Sequence, residues 1–322
     1  MKTNETYLQA KNIELFLANT PQITFEVTDA CNLNCTYCGY GQFYSDYDTR
    51  ANKRLPVGQA IALLDYLSKL WNSPLNSSAN QNVYISFYGG EPLLNMSFIQ
   101  TVVDYVENKL HCPARHFTFS MTTNALLLQM QETFMKIYRN EEESLHQAEH
   151  YEEIERDMFL NLGTSKSAST YLLQYSDFVY KNYNELLLGK AKMTQTVPTG
   201  SCILFSKKIY VTVNGKILPC ERIGHQFALG ELTENGVKLD FEAIAQKYNQ
   251  YYAKLDRQCK VCYNRRACIQ CVYNLPDIDK AKVLCHGFIS KANFDVYQST
   301  QLAFLANNPG TYQRIMTEVI VK

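Results

Sequence analysis

The cysteines of this chain limit its possible folds more than any other feature, because ten of the eleven fall into two groups. One group lies near the start of the chain and the other in its last third: Cys31, Cys35 and Cys38, then Cys202, Cys220, Cys259, Cys262, Cys268, Cys271 and Cys285. Cys112 stands alone, as a buried cysteine that acts as a small apolar residue often does. Clustered thiols in a cytosolic protein bind metal or do chemistry more often than they form disulfides. The spacing therefore predicts metal sites at both ends of the chain.

The composition indicates a folded protein with no charge-based preference for a polyanion. Lys plus Arg and Asp plus Glu number 31 each, so we expect neither nucleic acid nor an anionic membrane as the main partner. The first residues, Met1 to Glu5, are polar, and no apolar run approaches the roughly eighteen residues that a membrane span requires. We expect a cytoplasmic protein.

Strands alternate with helices in the first part of the chain. Ile23 to Asp29, Val83 to Tyr88 and Phe117 to Met121 read as strands. Apolar residues at helical spacing follow Pro56, and a second helix is predicted from Met96 to Leu110. This order predicts parallel β/α units, whose functional residues lie at the carboxyl ends of the strands.

Each of these strands is followed by a motif that could carry chemistry. The three motifs are Cys31 to Cys38, Gly89-Gly90-Glu91 and Thr122-Thr123-Asn124. Three cysteines at i, i+4 and i+7 can bind one iron–sulfur cube and leave its fourth iron without a protein ligand, since such clusters generally take four cysteines. The same spacing also marks one face of a helix, but the neighbouring Asp, Asn and Gly residues favour a loop.

The first motif, Cys31-x3-Cys35-x2-Cys38 with Tyr37 before the last cysteine, resembles the signature of the radical S-adenosylmethionine (SAM) enzymes. The resemblance implies that the three cysteines hold a [4Fe–4S] cluster. It also implies that the amino and carboxylate groups of SAM chelate the open iron, and that Tyr37 lies against the adenine.

The other two motifs add to this resemblance. Gly89-Gly90-Glu91 resembles the family's second motif, which contacts the amino group of SAM. Two glycines allow a close backbone approach to a ligand, and Glu91 offers an acceptor to a cationic amine. Thr123-Asn124 resembles a third, looser motif, although capping a helix explains that pair equally well.

The C-terminal cysteines have their own spacing. Cys259-x2-Cys262-x5-Cys268-x2-Cys271 contains two close pairs, and thiolate pairs of this kind select zinc or iron–sulfur almost equally. The arrangement resembles the SPASM domain, which follows a radical SAM core and holds up to two auxiliary [4Fe–4S] clusters. The family more often has three residues where Cys268 and Cys271 are separated by two. The resemblance implies an inner and an outer cluster, with these ligands: Cys202, Cys220 and Cys271 for the inner one, and Cys259, Cys262, Cys268 and Cys285 for the outer one.

A β-hairpin is predicted between the first two of these cysteines. Asn214-Gly215, flanked by Lys208 to Val213 and Lys216 to Leu218, is a strong hairpin signal. The hairpin would bring Cys202 and Cys220 close together.

The resemblance implies an α/β protein of three parts. Residues 1–130 are expected to form a partial, TIM-like radical SAM core with three clear β/α units, where the family supplies six. Residues 131–198 form a helical, acidic linker, because eight acidic residues between Arg139 and Asp157 indicate a solvated helix face. Residues 199–322 form a small cysteine-rich SPASM domain with a β-hairpin and C-terminal helices.

The function implied by the resemblance is that of a radical SAM enzyme which crosslinks a ribosomally made peptide through a thioether or carbon–carbon bond. The reduced cluster would give an electron to SAM, and the resulting 5′-deoxyadenosyl radical would abstract a substrate hydrogen. The expected partners are the peptide and an electron donor such as a flavodoxin or ferredoxin. Two alternatives stay open: oxidation of a sulfatase Cys or Ser to formylglycine, and a degenerate iron–sulfur protein without catalytic activity.

Overall fold

The computed structural model describes residues 7–35, 38, 46–127, 203–263, 265, 268, 270–307 and 310. Tyr37, Cys202 and the predicted acidic linker lie outside these residues.

The chain forms two compact units. The first comprises Met1–Leu128, Ser201–Lys254 and Cys271–Leu284, and the second comprises the rest: Gln129–Gly200, Leu255–Gln270 and Cys285–Lys322. The three-part division drawn from the sequence stays a prediction.

The first unit holds the strands of the described residues and most of the helices. Its elements are, in chain order, α1 (Ala10–Ala18), β1 (Gln22–Thr28), α2 (Val57–Trp71), β2 (Asn82–Gly89), α3 (Met96–Asn108), β3 (His116–Met121), β4 (Ile209–Val211), β5 (Lys216–Leu218), β6 (Gly230–Thr233) and β7 (Gly236–Leu239). Helix α4 (Phe241–Val261) begins in this unit, and helix α5 (Lys291–Asn307) belongs to the second. The predicted strands β1 to β3 and helices α2 and α3 are confirmed, with ends that differ by no more than about two residues.

All seven strands form one sheet in the order β3-β2-β1-β4-β5-β6-β7. Strands β1, β2 and β3 are parallel, as the β/α order predicts. Strand β1 also pairs in parallel with β4, with Ile23 opposite Ile209, and the remaining strands continue antiparallel. The C-terminal hairpin therefore extends the N-terminal sheet and covers the edge of β1 that a short sheet would otherwise expose.

The predicted hairpin is confirmed at Asn214-Gly215. The Gly215 N–H donates to the Thr212 carbonyl at 2.8 Å, and the Lys216 N–H donates to Thr212 Oγ1 at 3.1 Å. Gly215 has a φ of +75°, and a Cβ at this position would lie 2.7 Å from the carbonyl oxygen of Leu232. Both the left-handed backbone and the close approach require glycine.

The two faces of the parallel strands differ in polarity. On one face, Phe25 packs against Phe98 of α3 with 6.0 Å between ring centroids, and Phe117 packs against Trp71 of α2 at 5.6 Å. Because side chains alternate along a strand, the opposite face carries the polar members: Gln22, Thr24, Glu26, Ser86, Tyr88 and Ser120. Parallel sheets that are covered on both faces are apolar on both. Thr24, Glu26 and Ser86 of this polar face are buried, and the face leads to the carboxyl ends of the strands.

Candidate functional site

The carboxyl ends of β1 and β2 stay bonded to each other beyond the strands themselves. The Gly90 N–H donates to the Thr28 carbonyl and the Glu91 N–H to the Ala30 carbonyl, both at 2.8 Å. A Cβ on Gly89 would lie 2.2 Å from the Thr28 oxygen, and one on Gly90 would lie 2.1 Å from the Ala30 oxygen. Both glycines are thus needed for the turn to approach the segment that leads into the cysteine loop, which carries Cys31, Cys35 and Cys38. The sequence suggested only a close approach to a ligand.

The Glu91 side chain joins the second motif to the third. Its carboxylate accepts hydrogen bonds from the Leu93 N–H at 3.0 Å, the Thr123 hydroxyl at 2.7 Å and the Asn124 N–H at 2.9 Å. Glu91 is fully buried. A buried carboxylate is tolerated when donors surround it, and here three donors do. This arrangement makes Glu91 a positioning residue that holds the ends of β2 and β3 together.

Asn124 in turn joins the third motif to the first. Its side-chain amide donates to Asn32 Oδ1 at 2.8 Å and lies 3.9 Å from Cys31 Sγ. Its own Oδ1 accepts from the Leu126 N–H at 3.1 Å, which fixes the side chain from both ends. The three motifs that the sequence placed after separate strands therefore meet in one place.

Donors also point at the sulfur atoms of the N-terminal cysteines. The Leu33 N–H donates to Cys31 Sγ at 3.4 Å, and Arg50 Nη2 donates to Cys38 Sγ at 3.4 Å. Hydrogen bonds to sulfur are one of the means by which proteins tune iron–sulfur clusters. These donors fit cysteines that act as thiolate ligands of a cluster.

The sulfur atoms have not converged into a closed ligand set. Within the described ranges, no three His, Cys, Asp or Glu side chains form a group that could hold a metal ion. Thiols must lose their protons before they bind metal, and part of the binding free energy of such sites goes into ordering the ligands. The roles of Cys31, Cys35 and Cys38 as ligands, and of Tyr37 beside the adenine, stay predictions.

Sequence reasoning missed the segment that follows the cysteine loop. The Asp29 N–H donates to the Lys53 carbonyl at 3.2 Å, the Ala51 N–H donates to Asp29 Oδ2 at 2.9 Å, and the Thr28 hydroxyl donates to the Lys53 carbonyl at 2.7 Å. These bonds bring Arg50 back to the cysteines. Only the buried Asp29 gave a signal in the sequence, since it follows a strand directly.

The four predicted outer-cluster cysteines lie in the second unit. Burial, followed by the nearby Cys268, Cys285 and Cys262, raises the pKa of the Cys259 thiol to about 12. The Ile289 N–H donates to Cys262 Sγ at 3.5 Å. Because neighbouring thiolates repel one another and burial penalises their charge, a cation is needed to compensate for the charge of a Cys259 thiolate. The structure thus brings Cys262, Cys268 and Cys285 within electrostatic range of Cys259.

The inner set is described only in part. Burial raises the pKa of the Cys220 thiol to about 11, and the Arg222 N–H donates to its sulfur at 3.3 Å. Cys271 lies beside Tyr248 and Tyr273 and contributes to their raised pKa values, which are due first to burial. Whether Cys202 joins them lies outside the described residues. Cys112 is 7% exposed, which confirms the interpretation as a lone buried thiol.

A cavity of about 540 Å³ opens in the first unit. Segments 46–47, 222–227 and 273–280 contribute to its wall, and the last two begin two residues after Cys220 and Cys271. The Tyr47 ring stacks on His225 at 4.5 Å, and the Tyr251 hydroxyl donates to Asp279 Oδ1 at 2.7 Å. Its size is typical of ligand sites, which measure about 300–1,000 Å³.

Helices of the described residues are all too short or too polar to cross a membrane.

Known proteins resemble the chain mainly in its N-terminal part. Residues 23–140 match the family described as a 4Fe-4S single cluster domain. An uncharacterized protein of Methanocaldococcus jannaschii is 35% identical over 107 residues, which are 33% of this chain and 31% of that protein. The radical SAM cyclopropyl synthase TigE of Paramaledivibacter caminithermalis is 28% identical over 127 residues, which are 38% of this chain and 24% of TigE. The chain thus matches about a third or less of the length of these relatives.

The fold is shared more widely than the sequence. The structure of native anSMEcpe with bound AdoMet and Kp18Cys peptide superposes with a TM-score of 0.51 at 16% identity, covering 89% of this chain and all of that one. The cluster-domain match and the radical SAM relative confirm the resemblance that Cys31, Cys35 and Cys38 carried, with a [4Fe–4S] cluster and SAM as its cofactors. The N-terminal part of this chain is thus similar to radical SAM proteins.

Proposed function

We propose that this chain is a radical SAM enzyme that modifies a peptide. The observation that carries the proposal is the joining of the three motifs by Glu91 and Asn124, next to cysteines whose sulfur atoms already receive hydrogen bonds. Catalytic sites depend on groups held in place by such supporting contacts.

The N-terminal cysteines would hold the cluster and leave one iron to the amino and carboxylate groups of SAM. When bound, the cluster supplies the electron for the cleavage of SAM. The chain's own groups hold the cofactor in position. Glu91 is poorly suited to receive the SAM ammonium group directly, because its carboxylate is buried and already accepts three hydrogen bonds. We therefore assign that contact to the backbone of the Gly89-Gly90 turn, which Glu91 positions.

The C-terminal cysteines would hold the auxiliary clusters of a SPASM domain. The proposed outer ligands are all in the second unit, and their mutual repulsion favours a bound cation. The proposed inner ligands Cys220 and Cys271 both lie in the first unit. Only three cysteines are proposed for the inner cluster, so one of its irons is available to a substrate thiolate.

The peptide is proposed to occupy the polar face of the sheet and the cavity lined by the segments that follow Cys220 and Cys271 in the chain. Tyr88 of the polar face lies within electrostatic range of Cys38 and of Arg222, and Arg222 lines the cavity. The lining combines aromatic and charged residues, among them Phe227, Tyr273 and Asp277. A mixed lining of this kind suits a peptide better than a purely apolar or purely charged ligand.

Crosslinking of a ribosomally made peptide is the proposed chemistry. The relative TigE is named as a cyclopropyl synthase, and making a cyclopropyl ring requires a new carbon–carbon bond. Formylglycine formation is the second candidate, and the two are separated by the product: a thioether crosslink keeps the cysteine sulfur, whereas formylglycine loses it.

The proposal is tested with anaerobically purified protein, strong reductant and SAM. We expect iron in large excess over zinc and the formation of 5′-deoxyadenosine without peptide. Glu91→Gln should lower that rate strongly, because it disturbs the turn, whereas Glu107→Gln, on the exposed end of α3, should not. Protein that contains only zinc, or iron-loaded protein that never cleaves SAM, would support the non-catalytic alternative instead. A cysteine-rich peptide encoded next to this gene favours crosslinking, and a sulfatase favours formylglycine formation.

A further inference from the structure

The segment after the cysteine loop is held against the end of β1 by a buried carboxylate. Asp29 is 3% exposed, and its carboxylate accepts a hydrogen bond from the Ala51 N–H. The Asp29 N–H donates a hydrogen bond to the Lys53 carbonyl. The Thr28 hydroxyl bonds to the same Lys53 carbonyl. Thr28, the last residue of β1, and Asp29, directly after it, therefore anchor the backbone on one side of Arg50. The position of Arg50 is set by the sheet rather than by the loop that carries the cysteines.

From this anchored position Arg50 reaches a predicted cluster ligand. Its Nη2 donates to Cys38 Sγ at 3.4 Å, and the residue is half-buried. A guanidinium group stays charged at any pH at which a protein is folded, and its planar shape holds its donors in fixed directions. Charge-assisted hydrogen bonds of this kind are roughly twice as strong as those between neutral groups.

We propose that Arg50 raises the reduction potential of the N-terminal cluster by donating a hydrogen bond to Cys38. The inference rests on the proposed function, because it takes Cys38 as a cluster ligand. Reduction by one electron from an external donor adds one negative charge, which is shared with the ligand sulfurs. A cationic donor at a sulfur stabilises the reduced form more than the oxidised form. Arg50 is therefore a positioning residue that acts on electron entry through Cys38.

The chain offers a matched set of variants. Arg50→Gln removes the charge, and Arg50→Lys keeps the charge but loses the planar fork that reaches the sulfur. Lys53→Gln removes a positive charge from the same segment, where the Lys53 ammonium bonds to Asn214 at an exposed site. Charges in water are screened within about 10 Å, so this control should change the potential little.

The experiment is a potentiometric titration of the full-length protein without SAM, followed by electron paramagnetic resonance. The N-terminal cluster is identified as the signal that SAM perturbs in a parallel sample. We expect the midpoint potential of that signal to shift to lower values in Arg50→Gln and by a smaller amount in Arg50→Lys, with Lys53→Gln close to wild type. Iron content and circular dichroism show that each variant is loaded and folded.

Three results would overturn the inference. If Arg50→Gln is fully loaded and its potential equals that of the wild type, Arg50 does not tune the cluster, and the proposed function still stands. If Arg50→Gln weakens SAM binding and leaves the potential unchanged, Arg50 contacts SAM instead. If wild-type protein shows no reducible signal that SAM perturbs, the proposed function fails, and this inference fails with it.

Discussion

The two cysteine regions are supported in different ways. The N-terminal cysteines follow β1, which is buried from Ile23 to Thr28, and the Asp29 carboxylate accepts a hydrogen bond from Ala51 in the segment after them. The Glu91 carboxylate joins the neighbouring ends of β2 and β3. In the second unit, the cysteines lie at the end of α4 and in the segments that follow. Among the residues of this unit whose burial the structure describes, Leu255 is the only buried apolar residue. Other apolar side chains of the second unit are exposed, among them Val261 at 62% and Val296 at 69%.

The difference shows what each region needs in order to hold its shape. A site built on a sheet inherits its geometry from a core that forms without metal. A segment with little buried apolar surface has little else to stabilise it, and small domains of this kind commonly depend on a metal. We therefore expect the first unit to be folded before it binds a cluster and the second to fold with its cluster.

The largest expected effect is on the second unit. Replacing Cys259 and Cys285 together by Ser should abolish its folding and expose residues 255–270 and 285–307 to solvent. Replacing Cys31, Cys35 and Cys38 by Ala should remove one cluster and leave both units folded. Anaerobic hydrogen exchange measures the protection of each unit in both variants. Full protection of the second unit in the iron-free double variant would show that this unit does not depend on metal.

The next effect concerns the carboxylate that joins the motifs. Glu91→Gln replaces one acceptor oxygen by a donor that faces another N–H or O–H, so we expect a loss of about 3–4 kcal/mol in the free energy of unfolding of the first unit. Chemical denaturation of the metal-free protein measures it, with Glu107→Gln as the exposed control. A loss below about 1 kcal/mol would mean that the three hydrogen bonds do not hold the site together.

A smaller loss is expected at the glycine turn. In Gly90→Ala the new methyl group meets the Ala30 oxygen, and the strands must separate at a cost of about 2–3 kcal/mol. Gly58→Ala is the matched control, because nothing lies within 4 Å of its Cβ and alanine favours the helix by about 1 kcal/mol. Equal thermal stability of the two variants would contradict the close approach of β1 and β2.

The smallest effect concerns pH. Burial lowers the pKa of His225 from its ordinary value, although the neighbouring Asp48 opposes this. Burial alone would raise the pKa of Asp48, but hydrogen bonds from Lys216 and Asn214 outweigh it, so the pKa is lowered. The unfolded chain binds protons at higher pH than the folded one at both groups, so stability is present near neutral pH and is lost as the pH falls.

The free energy of unfolding of the first unit should therefore decrease as the pH is lowered from 7 to about 5. His225→Asn should flatten that slope, and His111→Asn, at an exposed position, should not. An unchanged slope in His225→Asn would mean that this histidine does not titrate on unfolding.

The sequence predicted the parts of the site that follow from strand order. Carboxyl ends of parallel strands share one edge, so the meeting of Gly89-Gly90-Glu91 with the cysteines and Asn124 could be predicted from alternation alone. The sequence could not show what Glu91 bonds to, because a carboxylate can face a ligand or the protein itself. The structure shows that Glu91 accepts hydrogen bonds from the protein, whereas the sequence argued for a bond to a ligand.

Other features depend on contacts between residues far apart in the chain. The pairing of β1 with β4 joins residues about 186 positions apart, such as Ile23 and Ile209, and no local pattern marks a strand of three residues as a partner for a distant one. Arg50 has no motif either, since its place depends on the backbone bonds of Ala51 and Lys53 to Asp29 and Thr28. Short-range sequence patterns predict helices and strands, whereas the pairing of distant strands depends on the packing of the whole core.

The N-terminal cysteines are proposed to hold a cluster with an iron open to SAM, and one measurement tests this most directly. Electron paramagnetic resonance spectra of the reduced wild-type protein are recorded with and without saturating SAM. We expect SAM to change the signal of one cluster, and we expect that change to be absent in the variant in which Cys31, Cys35 and Cys38 are replaced by Ala. A spectrum that SAM leaves unchanged, in protein that is fully loaded with iron, would contradict the claim.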